Sequence, residues 1–341
     1  MDRKNFIKTG ASLIGASFFL ANKLLASSES SDANKITFCA FADLHFRNGD
    51  YNWATKRLDA ILARALKRNA DFVIQLGDFC HNVETAAPVL DKYNAFKIPT
   101  YHTMGNHDFE ATKTLECVCA AYRLKRNFYS FDIKGFKFIV LDTNYFKNKS
   151  GVIEHYASSS AYDKCHQKEA IVTQAQLELL EAELSTAKKP CVIFSHHGFR
   201  CVGGITNADE FKKVLYSNQR TPVMWINGHF HRNSLNLENN VAFFSLNSPT
   251  SDWLNVTHNA YPLEIMNSSP LAKHELLFDK PVNAIITITD DGEFIIDGMK
   301  GGMYLGITPE QVGDRKYDAQ GLACDASVLS AHFKLYNPNQ S

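Results

Sequence analysis

The stretch Ile36-Thr37-Phe38-Cys39-Ala40-Phe41-Ala42-Asp43-Leu44-His45 decides how the rest of the chain reads. An uncharged, mostly apolar run of strand length passes directly into an acid and an imidazole. Near-continuous apolar strands belong to sheets covered on both faces, and parallel neighbours need a crossover helix between them. Trp53 to Lys67 supplies such a helix, with Leu58, Ile61, Leu62 and Leu66 on one side. Phe72 to Leu76 reads as the next strand, Ala86 to Phe96 as a helix and Thr100 to Met104 as a third strand. The alternation predicts an α/β fold.

Outward from there the pattern persists. Asn127 to Ile133 and Phe136 to Leu141, split by Lys134-Gly135, predict a hairpin. Thr173 to Leu184 predicts an amphipathic helix through Leu177, Leu180 and Leu184. Further strands are expected at Cys191–Ser195, Val223–Asn227, Val241–Leu246, Ala284–Thr289 and Glu293–Ile296, the last two joined by Asp290-Asp291-Gly292. Ser248 to Pro281 lacks periodicity and is long for a structureless connection, which favours a functional loop. There is no internal repeat or low-complexity block. The expected organisation is a polar linker at 27–34, one α/β domain over 35–300, and a C-terminal cap over 301–341 belonging to the same domain.

The chain's 341 residues allow two domains or one large α/β domain. With 45% hydrophobic and 21% charged residues it is neither disordered nor fibrous. Lys+Arg and Asp+Glu are equal at 36 each, so no basic surplus points to a nucleic-acid polymer or an anionic membrane. Residues 1–26 read as an export signal. Arg3, Lys4 and Lys8 precede an uncharged stretch from Thr9 to Asn22, and small residues follow up to a cleavage point near Ala26. That stretch is shorter than the ~20 residues a bilayer span needs, so the expected address is periplasmic or secreted rather than membrane-spanning. Arg3-Lys4-Asn5-Phe6-Ile7-Lys8 also resembles a twin-arginine signal with Lys4 in place of the second arginine, which leaves the route open. A frayed amphipathic helix is the alternative. Of the 8 cysteines, Cys39, Cys80 and Cys191 fall in or beside apolar strands, and Cys117-Val118-Cys119 has the wrong spacing for a redox pair. No specific disulfide is expected.

The strands end in a consistent way. Their C-terminal ends carry Asp43-Leu44-His45, Gly77-Asp78, Gly105-Asn106-His107-Asp108, Ser195-His196-His197-Gly198 and Gly228-His229-Phe230-His231. Open α/β sheets bind ligands at that edge. Imidazole suits first-row transition metals, and carboxylate or amide oxygens suit harder ions. So large a mixed set exceeds the three or four protein ligands of one catalytic zinc, which predicts two metals bridged by a central carboxylate.

In that order the motifs closely resemble the calcineurin-like metallophosphoesterase superfamily, over approximately Ile36 to Leu246. The resemblance implies a two-sheet β-sandwich core flanked by helices, in α/β/β/α layers. It also implies that Asp43, His45 and His231 hold one metal, that Asn106, His196 and His229 hold the other, and that Asp78 bridges them. His107 would act on the leaving group, with Asp108 as its partner in the manner of other imidazole–carboxylate pairs. A hydroxide held by two divalent cations (Mn, Zn or Fe) would attack phosphorus, and His107 would protonate the departing oxygen. Purple acid phosphatases of this superfamily carry a tyrosine three residues after the bridging Asp. His81 stands there instead, which argues against an iron–tyrosinate centre. The implied substrates are small phosphate esters or nucleotides. Phosphodiester or diphosphate cleavage is the alternative, and a metal-binding scaffold without catalysis is the rival from outside enzymology.

Other residues carry weaker signals. Arg200, Arg232 and His197 are candidate substrate contacts, each equally readable as surface or local packing. His81 reads as a loop histidine and His102 as a core histidine. Trp253, His258, Asn259 and Tyr261 read as a small satellite core, with stacking on a nucleobase as the alternative.

Overall fold

The computed structural model describes residues 34–47, 51–112, 114–157, 169–199, 204–218, 220–253, 261–268, 270–312, 317 and 321–336. The expected export signal lies outside the described residues, as do Arg200, His258 and Asn259.

The opening rhythm of the sequence becomes β1 (Lys35–Phe41), α1 (Tyr51–Lys67), β2 (Phe72–Leu76), α2 (Ala87–Asn94) and β3 (Thr100–Thr103). In α1 the buried stripe is Leu58, Ile61, Leu62 and Ala65, whereas Leu66, expected on that side, is exposed. A short α3 (Leu115–Ala121) leads to the hairpin β4 (Tyr129–Ile133) and β5 (Phe136–Val140). Lys134 and Gly135 between them both adopt positive φ, 53° and 78°, as a two-residue turn of the type I′ family requires. Next come β6 (Tyr145–Lys147), β7 (Ile153–His155), α4 (Gln174–Thr186), β8 (Cys191–Phe194), α5 (Ala208–Ser217), β9 (Val223–Asn227), β10 (Ser234–Glu238) and β11 (Val241–Ser245). The supposedly irregular stretch from Ser248 holds β12 (Ser251–Asp252), α6 (Leu263–Ser268) and β13 (Leu276–Leu277). The chain then adds β14 (Ala284–Thr289), β15 (Glu293–Gly298) and β16 (Ala331–Lys334).

Two six-stranded mixed sheets result, ordered β16-β15-β14-β1-β2-β3 and β10-β11-β9-β8-β5-β4. β1, β2 and β3 run parallel, as do β5, β8, β9 and β11. Side-chain alternation sorts the layers. Even-numbered residues of β1 and β2 (Phe38, Ala40, Phe72, Ile74) pack against Phe138, Val192, Phe194, Met224 and Ile226 of the second sheet. The Phe38 ring meets those of Phe138 and Phe194 edge-on at 5.8 Å. Odd-numbered residues face the helices. Cys39, Phe41 and Val73 lie beneath α1 and α2, while Ile139, Ile193 and Trp225 lie beneath α4 and α5. The fold is thus the expected two-sheet sandwich between helices. Two of the elements that sequence periodicity does not reveal are sheet edges. β10 and β16 are half-exposed border strands, where the burial that makes a pattern readable is missing. Among the described residues no helix is long and apolar enough to cross a membrane, and Cys39, Cys80, Cys117, Cys119, Cys191 and Cys324 are free thiols.

Candidate metal centre

The parallel strands of both sheets end at one border of the sandwich, and the chain turns sharply there. Asp43, His45, Asp78, His229 and His231 all adopt positive φ, between 50° and 68°. A non-glycine residue held there costs about 1–3 kcal/mol, so this region carries strain that the surrounding fold must overcome. The turns leave no space for a side chain at two glycines. A Cβ on Gly105 would sit 2.2 Å from the Asp78 amide nitrogen, and one on Gly228 would sit 2.6 Å from Asp43 Oδ2.

The turns bring all seven expected ligands together. His45 Nε2 lies 3.0 Å from His231 Nε2 and 3.9 Å from Asp43 Oδ1, and His231 Nε2 lies 3.5 Å from the same oxygen. On the other side, His196 Nε2 is 3.1 Å from Asn106 Oδ1 and 3.2 Å from His229 Nδ1. Asp78 Oδ2 stands between the groups, 3.1 Å from His196 Nε2 and 3.8 Å from His45 Nε2. Its other oxygen accepts from the His107 amide at 2.7 Å, which fixes the carboxylate in this bridging attitude.

The chemistry of these donors fits divalent cations. His196 Nδ1 donates to Leu76 O and His231 Nδ1 donates to Ser251 O, at 2.8 and 2.7 Å. A carbonyl can only accept, so in its neutral form each ring presents an Nε2 lone pair to the centre, the form in which it would hold a cation. Such backing of ligand imidazoles is usual around metals. Asp43, Asp78 and His196 are all essentially buried. Burial alone would press the His196 imidazole down, but the Asp78 and Asp43 carboxylates hold its pKa up to about 9. Two buried carboxylates this close demand positive charge, which is what bound cations would bring. His45 is different. Burial holds its pKa well below the ordinary imidazole range, so it is a neutral donor.

The structure also adds residues. His81, expected to be a loop histidine, is buried, with its Nε2 2.9 Å from His45 Nδ1. Its Nδ1 meets the Glu110 carboxylate, and Glu110 Oε2 also accepts from His107 Nδ1 at 2.8 Å. The partner of His107 is therefore Glu110 and not Asp108. Asp108 instead accepts from the amides of Gly105, Cys80 and Asp78, at 2.7, 3.1 and 3.2 Å. It braces the turns that carry the ligands, and burial beside Asp78 pushes its pKa up to about 7. A signal for both residues exists in the sequence, because Glu110 follows His107 by one helical turn and His81 follows Asp78 by three residues.

Of the expected substrate contacts, Arg232 is buried and ion-paired with Asp252, which fits a structural pair rather than an open anion site. His197 is fully buried, its Nδ1 2.7 Å from Thr143 Oγ1 and its ring centroid 4.4 Å from that of His229. It packs behind the ligands. The aromatic cluster divides. Tyr261 joins a satellite core with Met266, Ala272 and Leu277, whereas Trp253 lies over the centre, its ring 5.4 Å from His107 and 5.7 Å from His45. His102 is a core histidine, as expected.

The structure is a two-sheet α/β sandwich with a buried Asp/His cluster at its strand edges that could hold metal ions. The chain belongs to the calcineurin-like phosphoesterase family, which it matches over residues 36–233. Among solved structures it resembles a dimetal phosphatase from Danio rerio at 14% identity and TM-score 0.54, covering 77% of this chain and 95% of that one. It also resembles an anchor in the inner membrane complex of Plasmodium at 12% identity and TM-score 0.51, covering 89% of each chain. At such identity these likenesses show the fold alone. No curated protein matches the chain.

Proposed function

We propose that the protein hydrolyses small phosphate esters, nucleotides among them, at a centre of two divalent transition-metal ions. The observation that carries this reading is Asp78 Oδ2, set between the imidazoles of His45 and His196 at 3.8 and 3.1 Å, with further donors on either side. Asp43, His45 and His231 would hold one ion, and Asn106, His196 and His229 the other. Manganese, zinc and iron all suit this mixture of imidazole and oxygen donors. The chemistry that such a pair of cations supplies is screening of the phosphoryl oxygens and acidification of a water. The chain's own residues do the rest. Asp78 fixes the spacing of the two groups. His107 sits at the lip, and with Nδ1 tied to Glu110 it presents Nε2 to the departing oxygen as a proton donor.

The test is hydrolysis of 4-nitrophenyl phosphate and bis(4-nitrophenyl) phosphate by metal-stripped protein refilled with manganese or zinc. Turnover restored by metal and lost in Asp78→Asn supports the reading, and the faster ester separates monoesterase from diesterase. Metal uptake without turnover on either ester overturns it in favour of a scaffold or another phosphate class.

The N-terminal pattern supports export to the periplasm or beyond, with removal of residues 1–26. Intact-mass analysis of the native protein checks this, and a mass that includes Met1 counts against it.

A further inference from the structure

We infer that Trp253 is a specificity residue that selects phosphoesters whose leaving group carries a planar ring, such as an aryl or nucleoside ester. This deepens the phosphoesterase reading and rests on it. Trp253 is 42% exposed, while Trp225, packed beneath α4 and α5, is 1% exposed. An indole left open at the lip of a polar centre gives up burial that the core offers, and a ligand would restore it.

Its position is fixed by the metal centre itself. Ser251, two residues before, accepts through its carbonyl from the ligand His231. Asp252, directly before, is buried and ion-paired with Arg232, the neighbour of that ligand. Pairing of β12 with β13 holds the segment from the other side. The indole therefore stands at a set height. It lies nearly parallel to the His107 ring, 16° apart at 5.4 Å, and nearly perpendicular to His45 at 5.7 Å. The Arg47 guanidinium lies 5.3 Å from the indole centroid. Because His107 faces the departing oxygen, the group attached to that oxygen leaves past Trp253. A flat ring there gains stacking or edge contact with the indole, and an aliphatic group gains less. Ring stacking on aromatic side chains is sequence-tolerant for nucleobases, so the class selected is ring-bearing esters rather than one base.

The experiment uses phenyl phosphate and a fluoroalkyl phosphate of matched leaving-group acidity, so that intrinsic reactivity cancels. Wild-type protein is expected to favour the phenyl ester in kcat/KM by about tenfold or more. In Trp253→Leu that ratio is expected to fall to near one, mainly through KM of the phenyl ester, while Trp253→Phe keeps part of it. A ratio unchanged in Trp253→Leu overturns the inference. If both rates fall together, the indole serves to pack His107, and if neither falls it serves neither purpose. No turnover of either ester by wild-type protein would instead break the phosphoesterase reading, so the two failures are distinguishable.

Discussion

The two sheets contribute unequally to the centre. The first supplies its oxygens, through Asp43, Asp78 and Asn106, together with one imidazole, His45. The second supplies nitrogen only, through His196, His229 and His231. The backing differs as well. His196 and His231 lean on the backbone carbonyls of Leu76 and Ser251, which no substitution removes directly. His45 leans on His81, and His81 leans on Glu110, so side chains do there what main chain does in the other half. Charge and mutability therefore concentrate in the first sheet's half, while the second sheet's half is fixed by the fold.

The largest effect should come from Asp78, the first-sheet residue whose carboxylate also reaches His196 of the second sheet. Asp78→Asn removes the bridging charge with little change of shape, and turnover is expected to fall by more than about 100-fold, beyond the 10–100-fold typical of residues that only back a ligand. Metal content per chain, measured beside activity, should drop as well. Full metal content with full activity would dissolve the comparison, because neither half would then depend on the other. Next is Gly105→Ala. Its Cβ would meet the Asp78 amide at 2.2 Å, so backbone must move, at about 1–3 kcal/mol of stability. Urea unfolding should report that loss, with metal affinity falling alongside. An Ala variant as stable as wild type would mean that these turns are softer than their positive φ angles imply.

The asymmetry itself is tested by Glu110→Gln. The amide oxygen can still accept from His81 and His107, as Glu110 Oε2 does, but the negative charge that strengthens both bonds is gone, so about a 10- to 100-fold weakening of one metal of the two is expected, with slower turnover of esters that have poor leaving groups. Stepwise metal titration separates the two sites. Equal weakening of both would show that the halves are not backed independently.

Much of this is legible in the sequence alone. Long apolar runs announce β1, β2, β5, β8 and β9 because these strands are buried on both faces, and the polar interruptions after them mark the residues that converge at the candidate centre. What stays illegible has a physical cause. β10, β16 and α3 are partly exposed, so no burial enforces a pattern. The spacings that offer Glu110 and His81 are present in the sequence, but the two lie 29 residues apart and meet only because β2 and β3 are parallel neighbours with adjoining ends. Adjacency in sequence suggests Asp108 as the partner of His107. In a short 3-10 turn (His107–Phe109), however, the next side chain points elsewhere, and the residue three positions on returns to the same side. Trp253 reads as packing because its neighbours Ser251 and Asp252, which hold it over the centre, carry no periodic signal.

The smallest effect concerns a histidine outside the centre, and it asks whether the first sheet's half is sensitive to protons beyond its ligands. Gln75 Oε1 accepts from the Gly77 amide at 2.7 Å, which orients the side-chain amide and makes Nε2 a donor. That Nε2 donates to Thr103 O at 2.8 Å and to His102 Nδ1 at 3.0 Å, so Nδ1 must accept and the ring must be neutral. Its Nε2 then donates to Asn94 Oδ1 at 2.8 Å, and the Asn94 amide is oriented in turn by Ala121 O. Burial lowers the His102 pKa to about 3. The sign follows from where each state takes its proton. Above the ordinary imidazole range neither state is protonated and stability is full. Below about 6.5 the unfolded chain binds a proton that the fold refuses, so stability falls as pH drops and levels off only near pH 3. One such group costs about 2 kcal/mol at pH 5. In His102→Leu the slope of unfolding free energy between about pH 6 and 4 should be shallower by close to one proton, although the variant is less stable at neutral pH because Gln75 and Asn94 lose a partner. Since Gln75 also holds Gly77, next to the bridging Asp78, a slope identical to wild type would mean that protons reach this edge through other residues, with His81, lowered by burial to about 4, first among them.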